Sequence, residues 1–357
     1  MSSFVAQVGP VLVFLLAITV VAEIAQLAGV FDVAGNAAVV AGRGRVWALW
    51  LLTVALACVS TVLLSLDTTA VLLTPVVLAA ARRVRAAPLP FAMTTVWLAN
   101  TASLLLPVSN LSNLLAEYHF RAWGGVHGYL STAWRPALVA IAVTVALLAL
   151  LHGRALFGAG RYVIAPPPRV QDRALLWVAG GVCVALCPAF VSGLPPALPA
   201  LVGAVVLVGV LAVRDPGALR RIAVPWRMVL VLAVVFAAVQ GLLHAGLAAV
   251  VASAAGTGGG PADLLRLAAL GAAAANGVNN LPAYLALEPA ALGSPQRMIA
   301  LLVGVNMGPV VTLWASLATV LWRQRCARAG LQIPLGRFAW QGLLLAVCVV
   351  CAAALAI

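Results

Sequence analysis

The chain contains no lysine and only eight acidic residues in 357 positions. Charged residues make up 8% of it, against about 25% in a soluble domain, while apolar residues make up 64%. That balance excludes an ordinary water-soluble fold and leaves the bilayer as the solvent. The formal charge of +13 comes from 21 arginines, all in short stretches between apolar runs. Basic residues there fix orientation in a membrane, so nucleic acid is excluded as a partner. No basic residue precedes the first apolar run, which therefore reads as a retained helix rather than a cleaved signal. The six cysteines (Cys58, Cys183, Cys187, Cys326, Cys348, Cys351) have neither zinc-finger spacing nor an extracellular disulfide framework. His119, His127, His152 and His244 stand at segment ends without metal-cluster spacing. There is no nucleotide-binding loop, no nucleophile with a base at motif spacing and no haem pattern, so neither an enzyme nor a cofactor is expected.

Apolar runs long enough for the roughly 20 helical residues of a crossing recur along the whole chain. Spans are predicted at about 10–28, 90–114, 131–152, 174–193, 197–213, 226–248, 297–322 and 339–357. Two stretches resist this reading: 46–81 is interrupted by Ser65–Thr69, and 262–292 by Asn276–Pro282. Both read as helical hairpins that enter from one side and turn back at mid-depth, where protein or a water-filled cavity must satisfy the exposed backbone. This layout puts 17 arginines inside and leaves Arg121, Arg135, Arg266 and Arg297 outside. The first hairpin then opens to the cytoplasm and the second to the exterior. The expected fold class is an all-α polytopic membrane protein with eight spanning helices and two opposed re-entrant helical hairpins.

Opposed hairpins imply an inverted repeat, and the sequence contains a match for one. Ala28-Gly29 and Ala245-Gly246 both end helices, with Glu23 and Gln240 six residues before the glycine. The tips align as Leu66-Asp67 against Asn279-Asn280, with Pro75 and Pro289 following. LANTASLLLPVSNLSNLL from Leu98 lies without a gap against GVNMGPVVTLWASLATVL from Gly304. The organisation read from this is a first half at 1–152, a cytoplasmic linker at 153–173 and a second half at 174–357. The pair 174–193 and 197–213 has no counterpart in the first half, so a helix pair is missing or the chain begins downstream of the usual start.

Polar residues cluster where the repeats break. Ser109, Asn110 and Asn113 follow Pro107, while Ser316 and Thr319 follow Gly308-Pro309. Asn279 and Asn280 form the second tip, and Asn100 and Asn306 occupy matched positions one stretch earlier. Interrupted helix pairs near the midplane are how secondary transporters build substrate sites, so these nine residues are candidates for solute binding; polar packing between helices is the alternative. Asp67 is the one carboxylate at a hairpin tip. It carries a transported proton, or it caps the turn by accepting from Thr68 and Thr69. Glu23 faces the same cavity or sits among headgroups. Glu117, Asp172, Asp215 and Asp263 lie at loop edges, and Glu288 fits either setting. No arginine falls at the centre of these clusters, which argues against a di- or tricarboxylate and for a neutral or weakly charged solute.

At SLDTTAVLLTP from Ser65, LANTASLLLPVSNLSNLL from Leu98, VNNLPAYL from Val278 and GVNMGPVVTLWASLATVLW from Gly304, the chain resembles the arsenite/antimonite efflux permeases of the ion transporter superfamily. The resemblance implies a scaffold and a transport domain, and export of trivalent arsenic or antimony hydroxide in exchange for protons. It also implies a cytoplasmic ATPase partner in some members, and dimers in many. Asn100 and Asn306 stand where that family usually has Asp, which leaves Asp67, with Glu23, to carry the proton. Two competing expectations stay open: a sodium/proton or small-anion transporter on the same scaffold, and a non-transporting membrane subunit that anchors an ATPase.

Overall fold

The computed structural model describes residues 2–158, 161–163, 171–222 and 248–357, with scattered positions between 230 and 246. Most of the span expected at 226–248, Gln240 included, lies outside the described residues, as do 159–160 and 164–170 of the linker expected at 153–173. Among the described residues the secondary structure is helical, with one isolated backbone bridge between Arg45 and Arg161. Among the described residues six helices are long and apolar enough to cross a bilayer: Gly9–Leu27, Val46–Leu64, Gly125–Phe157, Arg173–Val191, Ala197–Arg214 and Leu335–Ala354. Five of them match predicted spans; Val46–Leu64 is instead the first arm of a predicted hairpin.

In chain order, α1 (Ser2–Leu27) leads through a left-handed Gly29 into α2 (Val30–Ala41). This short apolar helix falls in a stretch where the sequence reading placed no element. Next come α3 (Val46–Leu64) and α4 (Leu66–Thr68), then a π turn (Thr69–Leu73) and α5 (Thr74–Arg83). The predicted span 90–114 is two helices, α6 (Pro88–Thr101) and α7 (Leu111–Phe120), separated by turns at 102–106 and a 3-10 turn at Pro107–Ser109. Pro107 supplies no N–H, so the helix cannot continue through it. Then follow α8 (Gly125–Phe157), α9 (Arg173–Val191), α10 (Ala197–Arg214) and α11 (Ala248–Ala255). The second hairpin is α12 (Pro261–Val278) and α13 (Asn280–Ala291). The predicted span 297–322 is likewise broken, into α14 (Pro295–Met307) and α15 (Leu317–Arg328), and α16 (Leu335–Ala354) ends the chain.

The two hairpin turns have the same backbone. Ser65 takes φ 109°, ψ 161° and Asn279 takes φ 114°, ψ 152°, a region open almost only to glycine. This pairs Ser65 with Asn279, one residue earlier than the sequence match, and Pro75 and Pro289 then both stand ten residues on. The breaks also agree: Asn110 (φ −150°, ψ 145°) and Ser316 (φ −141°, ψ 149°) each cap the helix that restarts there.

Most arginine clusters meet on one face. Tyr162 N–H donates to the Gly44 carbonyl at 2.8 Å beside the Arg45–Arg161 bridge. Arg82 donates to the Ala329 carbonyl, and Arg214 pairs with Asp172. Asp172 also caps α9 by accepting from Ala174 and Leu175, and the Arg214 hydrogen bond holds its carboxyl below the usual carboxylate range. Because Arg45 and Arg82 border opposite ends of the first hairpin, these contacts fit a chain that turns back at Ser65 although α3 alone is long enough to cross.

The core sits around α6 and α14, which are buried along nearly their whole length. Gly304 and Gly308 are four residues apart on α14. A Cβ at Gly304 would lie 2.1 Å from the Ala268 carbonyl oxygen, and one at Gly308 would lie 2.4 Å from the Ala272 Cβ. The missing side chains let α12 and α14 approach at backbone distance, as small-residue pairs do in membranes.

Candidate functional site

The polar residues of the first break are drawn together by one residue of the second half. Asn306, fully buried near the end of α14, accepts from Asn110 Nδ2 at 2.9 Å and from Ser112 Oγ at 2.7 Å. Its own Nδ2 donates to Asn113 Oδ1 at 2.6 Å. Asn113 Nδ2 in turn donates to the carbonyls of Ser103 (2.6 Å) and Leu106 (3.2 Å), tying α7 to the chain between the two helices. Three of the predicted residues, Asn110, Asn113 and Asn306, therefore form a single network, and Ser112 joins it. Ser112 stands in the same SNLSN run, among the polar residues that the sequence reading grouped after Pro107.

The remaining candidates fall into separate groups. Ser109 Oγ donates to the Val62 carbonyl at 3.1 Å, tying the first break to the first hairpin. Ser316 caps α15 by accepting from the Thr319 amide at 3.2 Å, and the two hydroxyls pair at 2.9 Å. Asn279 Nδ2 donates to the Trp314 carbonyl, and the Asn280 amide to the Ala315 carbonyl, both at 2.8 Å. Asn276, which the sequence reading passed over, organises this second junction. Its Oδ1 accepts from the amides of Val311 (3.2 Å) and Thr312 (3.1 Å), and its Nδ2 donates to the Gly308 carbonyl at 2.8 Å. The signal available for it was position: it is three residues before the turn, opposite a Gly-Pro break whose amides need an acceptor.

Some polar atoms are buried without partners. Asn100 donates from Nδ2 to Val96, but its Oδ1 has no hydrogen bond. Trp97 Nε1, one turn earlier on α6, is likewise unpartnered, and both residues are fully buried. Asp67 Oδ1 is the third. The capping role open to Asp67 is taken by its neighbour: the Thr68 amide donates to Ser65 Oγ at 3.4 Å, and the Thr69 amide to the Ser65 carbonyl at 3.1 Å. An unpaired buried polar atom costs about 1–3 kcal/mol; among the described residues Gln26 Oε1, Asn36 Oδ1 and His152 Nε2 are also buried without a partner.

Glu23 is half-buried on α1, outside the network, within electrostatic reach of Arg325 on α15. The buried Arg297 is committed elsewhere: it donates to the carbonyls of Ala290 at 3.0 and 2.8 Å, Gly256 at 2.6 Å and Gly258. Among the described residues no group of three His, Cys, Asp or Glu side chains is arranged to hold a metal ion.

Residues 3–319 match the family model described as citrate transporter. The arsenical pump membrane protein of Yersinia enterocolitica is 30% identical over 332 residues, covering 85% of this chain and 75% of that protein. Its namesake in Escherichia coli K12 is 29% identical over 329 residues with the same coverage. The crystal structure of the Alcanivorax borkumensis YdaH transporter superposes with a TM-score of 0.59 at 16% identity, covering 99% of this chain and 84% of that one. That likeness is one of fold.

Proposed function

We infer the activity from one premise: the chain belongs to the citrate transporter family and is a multi-pass secondary transporter of a small solute in the plasma membrane. The solute is a neutral metalloid hydroxide of the arsenite or antimonite type, exported in exchange for protons. The observation that carries this reading is the make-up of the site. The Asn306 network and the caps at Ser316 and Thr319 consist of amides and hydroxyls, and the buried Arg297 spends its donors on backbone carbonyls. A tricarboxylate needs charge-assisted donors, ideally from arginine, which this arrangement does not offer. A trihydroxide both donates and accepts, which suits the Asn100 oxygen and Trp97 N–H left over on α6. The names of the relatives support the same substrate class.

In this cycle the two hairpins are re-entrant, the halves 1–152 and 174–357 are inverted repeats, and the arginine-rich face is cytoplasmic. Asn110, Asn113 and Asn306 hold the two breaks in register, while Ser109, Ser316, Thr319, Asn279 and Asn280 fix the tips against them. Asp67 takes up the coupling proton, because its carboxylate lies at the first tip with an unpartnered oxygen and no capping duty. Glu23, facing Arg325, works at the cytoplasmic end of the path. One proton moving down about 100 mV supplies ~2.3 kcal/mol, enough to sustain a roughly 50-fold gradient of a neutral solute.

The test is arsenite and antimonite sensitivity, with cell-associated metalloid, in a host stripped of its own exporters. Wild type is expected to lower accumulation, and Asp67→Asn to lower efflux at least tenfold at equal membrane abundance. A wild type that reaches the membrane and confers nothing overturns the metalloid assignment. Sodium-dependent efflux insensitive to Asp67→Asn overturns the proton assignment.

A further inference from the structure

The chain that follows α8 is docked onto the turn between α2 and α3. Tyr162 N–H donates to the Gly44 carbonyl at 2.8 Å, and its hydroxyl donates to the Val39 carbonyl at 2.7 Å. Gly42 makes room for the ring: a Cβ there would lie 2.3 Å from the Tyr162 hydroxyl. This docking places Arg45 opposite Arg161 in the antiparallel bridge. Because the flanking bond joins Gly44 and Tyr162, the two arginines are the close, non-hydrogen-bonded kind of pair. Their side chains leave the same face from Cα atoms about 4.5 Å apart. Like charges set directly opposite one another repel, and an anion shared by both removes that cost.

The chain itself brings no such anion to this corner. Arg45 and Arg161 are exposed, as are Arg43 in the turn and Arg154 near the end of α8. Among the described residues, none of these four guanidiniums is ion-paired with a carboxylate. Ion pairs are formed elsewhere, by Arg214 with Asp172 and by His119 with Glu288 at 2.8 Å, and Arg82 is bound to the Ala329 carbonyl.

The surroundings are those of a bilayer edge. The Arg45 guanidinium lies 6.0 Å from the centre of the Trp47 ring, and Trp47 is exposed in the first turn of α3. Leu51, one turn further along α3, is exposed as well. Phe157, the last residue of α8, is exposed and meets the Trp50 ring edge-on at 6.2 Å. Helices α3 and α8 are both long and apolar enough to cross the membrane, so their ends mark the level at which aromatic rings meet lipid headgroups.

We propose that Arg45 and Arg161, aided by Arg43 and Arg154, bind the phosphate of an anionic phospholipid whose acyl chains lie against Trp47, Leu51 and Phe157. The chemistry of the ligand follows from the site. Guanidiniums grip phosphate oxygens through paired N–H donors. A zwitterionic lipid would bring its ammonium into a cluster of four arginines, where it is repelled, so a net negative headgroup is required. A soluble anion would satisfy the arginines but make no use of the exposed aromatic and aliphatic side chains beside them. Because the two arginines come from distant parts of the chain, the bound lipid clamps the segment after α8 to the α2–α3 turn. The site is independent of the transported solute.

The experiment is lipid binding by the purified full chain in micelles of detergent and phosphatidylcholine. Phosphatidylglycerol with brominated acyl chains is titrated in, and the quenching of tryptophan fluorescence is read. Wild type should show a saturable component, which brominated phosphatidylcholine should not produce. Trp47→Phe leaves every arginine in place and should remove that component; quenching that survives it overturns the placement of the acyl chains. At about fivefold per arginine, Arg45→Gln combined with Arg161→Gln should weaken the apparent affinity about 25-fold. Arg220→Gln combined with Arg328→Gln removes the same charge elsewhere on the arginine-rich face and should leave affinity within about twofold of wild type. Equal losses in the two double variants would reveal a diffuse electrostatic attraction and overturn the site. Displacement of the lipid by inorganic phosphate would make the cluster a site for soluble anions and overturn the lipid assignment. Without phosphatidylglycerol both double variants should melt with the wild type; adding it should raise the thermal midpoint of the wild type and not that of the Arg45/Arg161 variant. A rise of equal size in that variant also overturns the proposal.

Discussion

The two hairpins share a turn of one backbone shape but are held by different chemistry. In the first, hydroxyls close the tip on itself: Thr61 donates to Thr69 at 3.0 Å, Thr69 to Ser60 at 2.9 Å, and Ser65 to Thr68 at 3.2 Å. Its hydrogen-bonded link to the neighbouring break is Ser109 to the Val62 carbonyl. In the second, amides reach across: Asn276, Asn279 and the Asn280 backbone bind Gly308, Val311, Thr312, Trp314 and Ala315. Side-chain length sets the difference. A hydroxyl on Cβ reaches one helical turn, whereas an amide reaches the next segment with a donor and an acceptor at once. The second hairpin is thereby tied to its broken helix, while the first is tied mostly to itself and carries the unpartnered Asp67 oxygen.

The largest effect expected from breaking this contrast is at the tethered hairpin. Asn276→Leu strips an acceptor from two amides and a donor from the Gly308 carbonyl. At about 1–3 kcal/mol for each group left unsatisfied, it should lower the thermal midpoint of the detergent-purified protein sharply and abolish transport. A midpoint close to wild type would mean that the amides of the second break find other partners. At the self-closed hairpin, Thr69→Val removes the hub of the hydroxyl ladder, yet Ser60 and Thr61 can bond back to their own helix. The cost should be smaller, on the order of 1 kcal/mol, with transport retained. The smallest effect, and the sharpest test, compares glycine at the two turns. Ser65→Gly relieves a backbone state costing about 1–3 kcal/mol and gives up one cap, so stability should hold or rise slightly. Asn279→Gly relieves the same strain but loses the bond to Trp314, so it should be less favourable than its partner. Equal shifts at both turns would show that the tether carries no energy.

The matched asparagines of α6 and α14 teach a related lesson. Asn306 spends both ends of its amide on the first break, whereas Asn100 keeps an oxygen free although its sequence surroundings are equivalent. Side chains at the first break are long enough to meet Asn306, while Ser316 and Thr319 at the second pair with each other. The asymmetry falls on α6, where the Asn100 oxygen is left without a partner.

Composition and periodicity were enough for the helical class, the long spans and the two breaks, because a 64% apolar chain with no lysine has one solvent available and Pro107 and Pro309 remove backbone donors wherever they stand. The tips were also legible, as polar runs inside apolar ones. Their register was not: the sequence match pairs Leu66 with Asn279, whereas the backbone angles pair Ser65 with Asn279. Helix α2 escaped because 12 residues are too few to span. The role of Asn276, Trp97 and the His119–Glu288 pair escaped for another reason. Apart from the Ala272 carbonyl one turn back from Asn276, the partners that matter are 32 residues away at the closest, 169 for the pair, or absent, and a hydrogen bond across that separation leaves no mark on local pattern. The sequence by itself determined where the chain crosses and where it must break, since burial and backbone donors are local properties. Only the tertiary structure decided which polar atoms find each other and which stay unpaired, because that depends on distances between helices far apart in the chain.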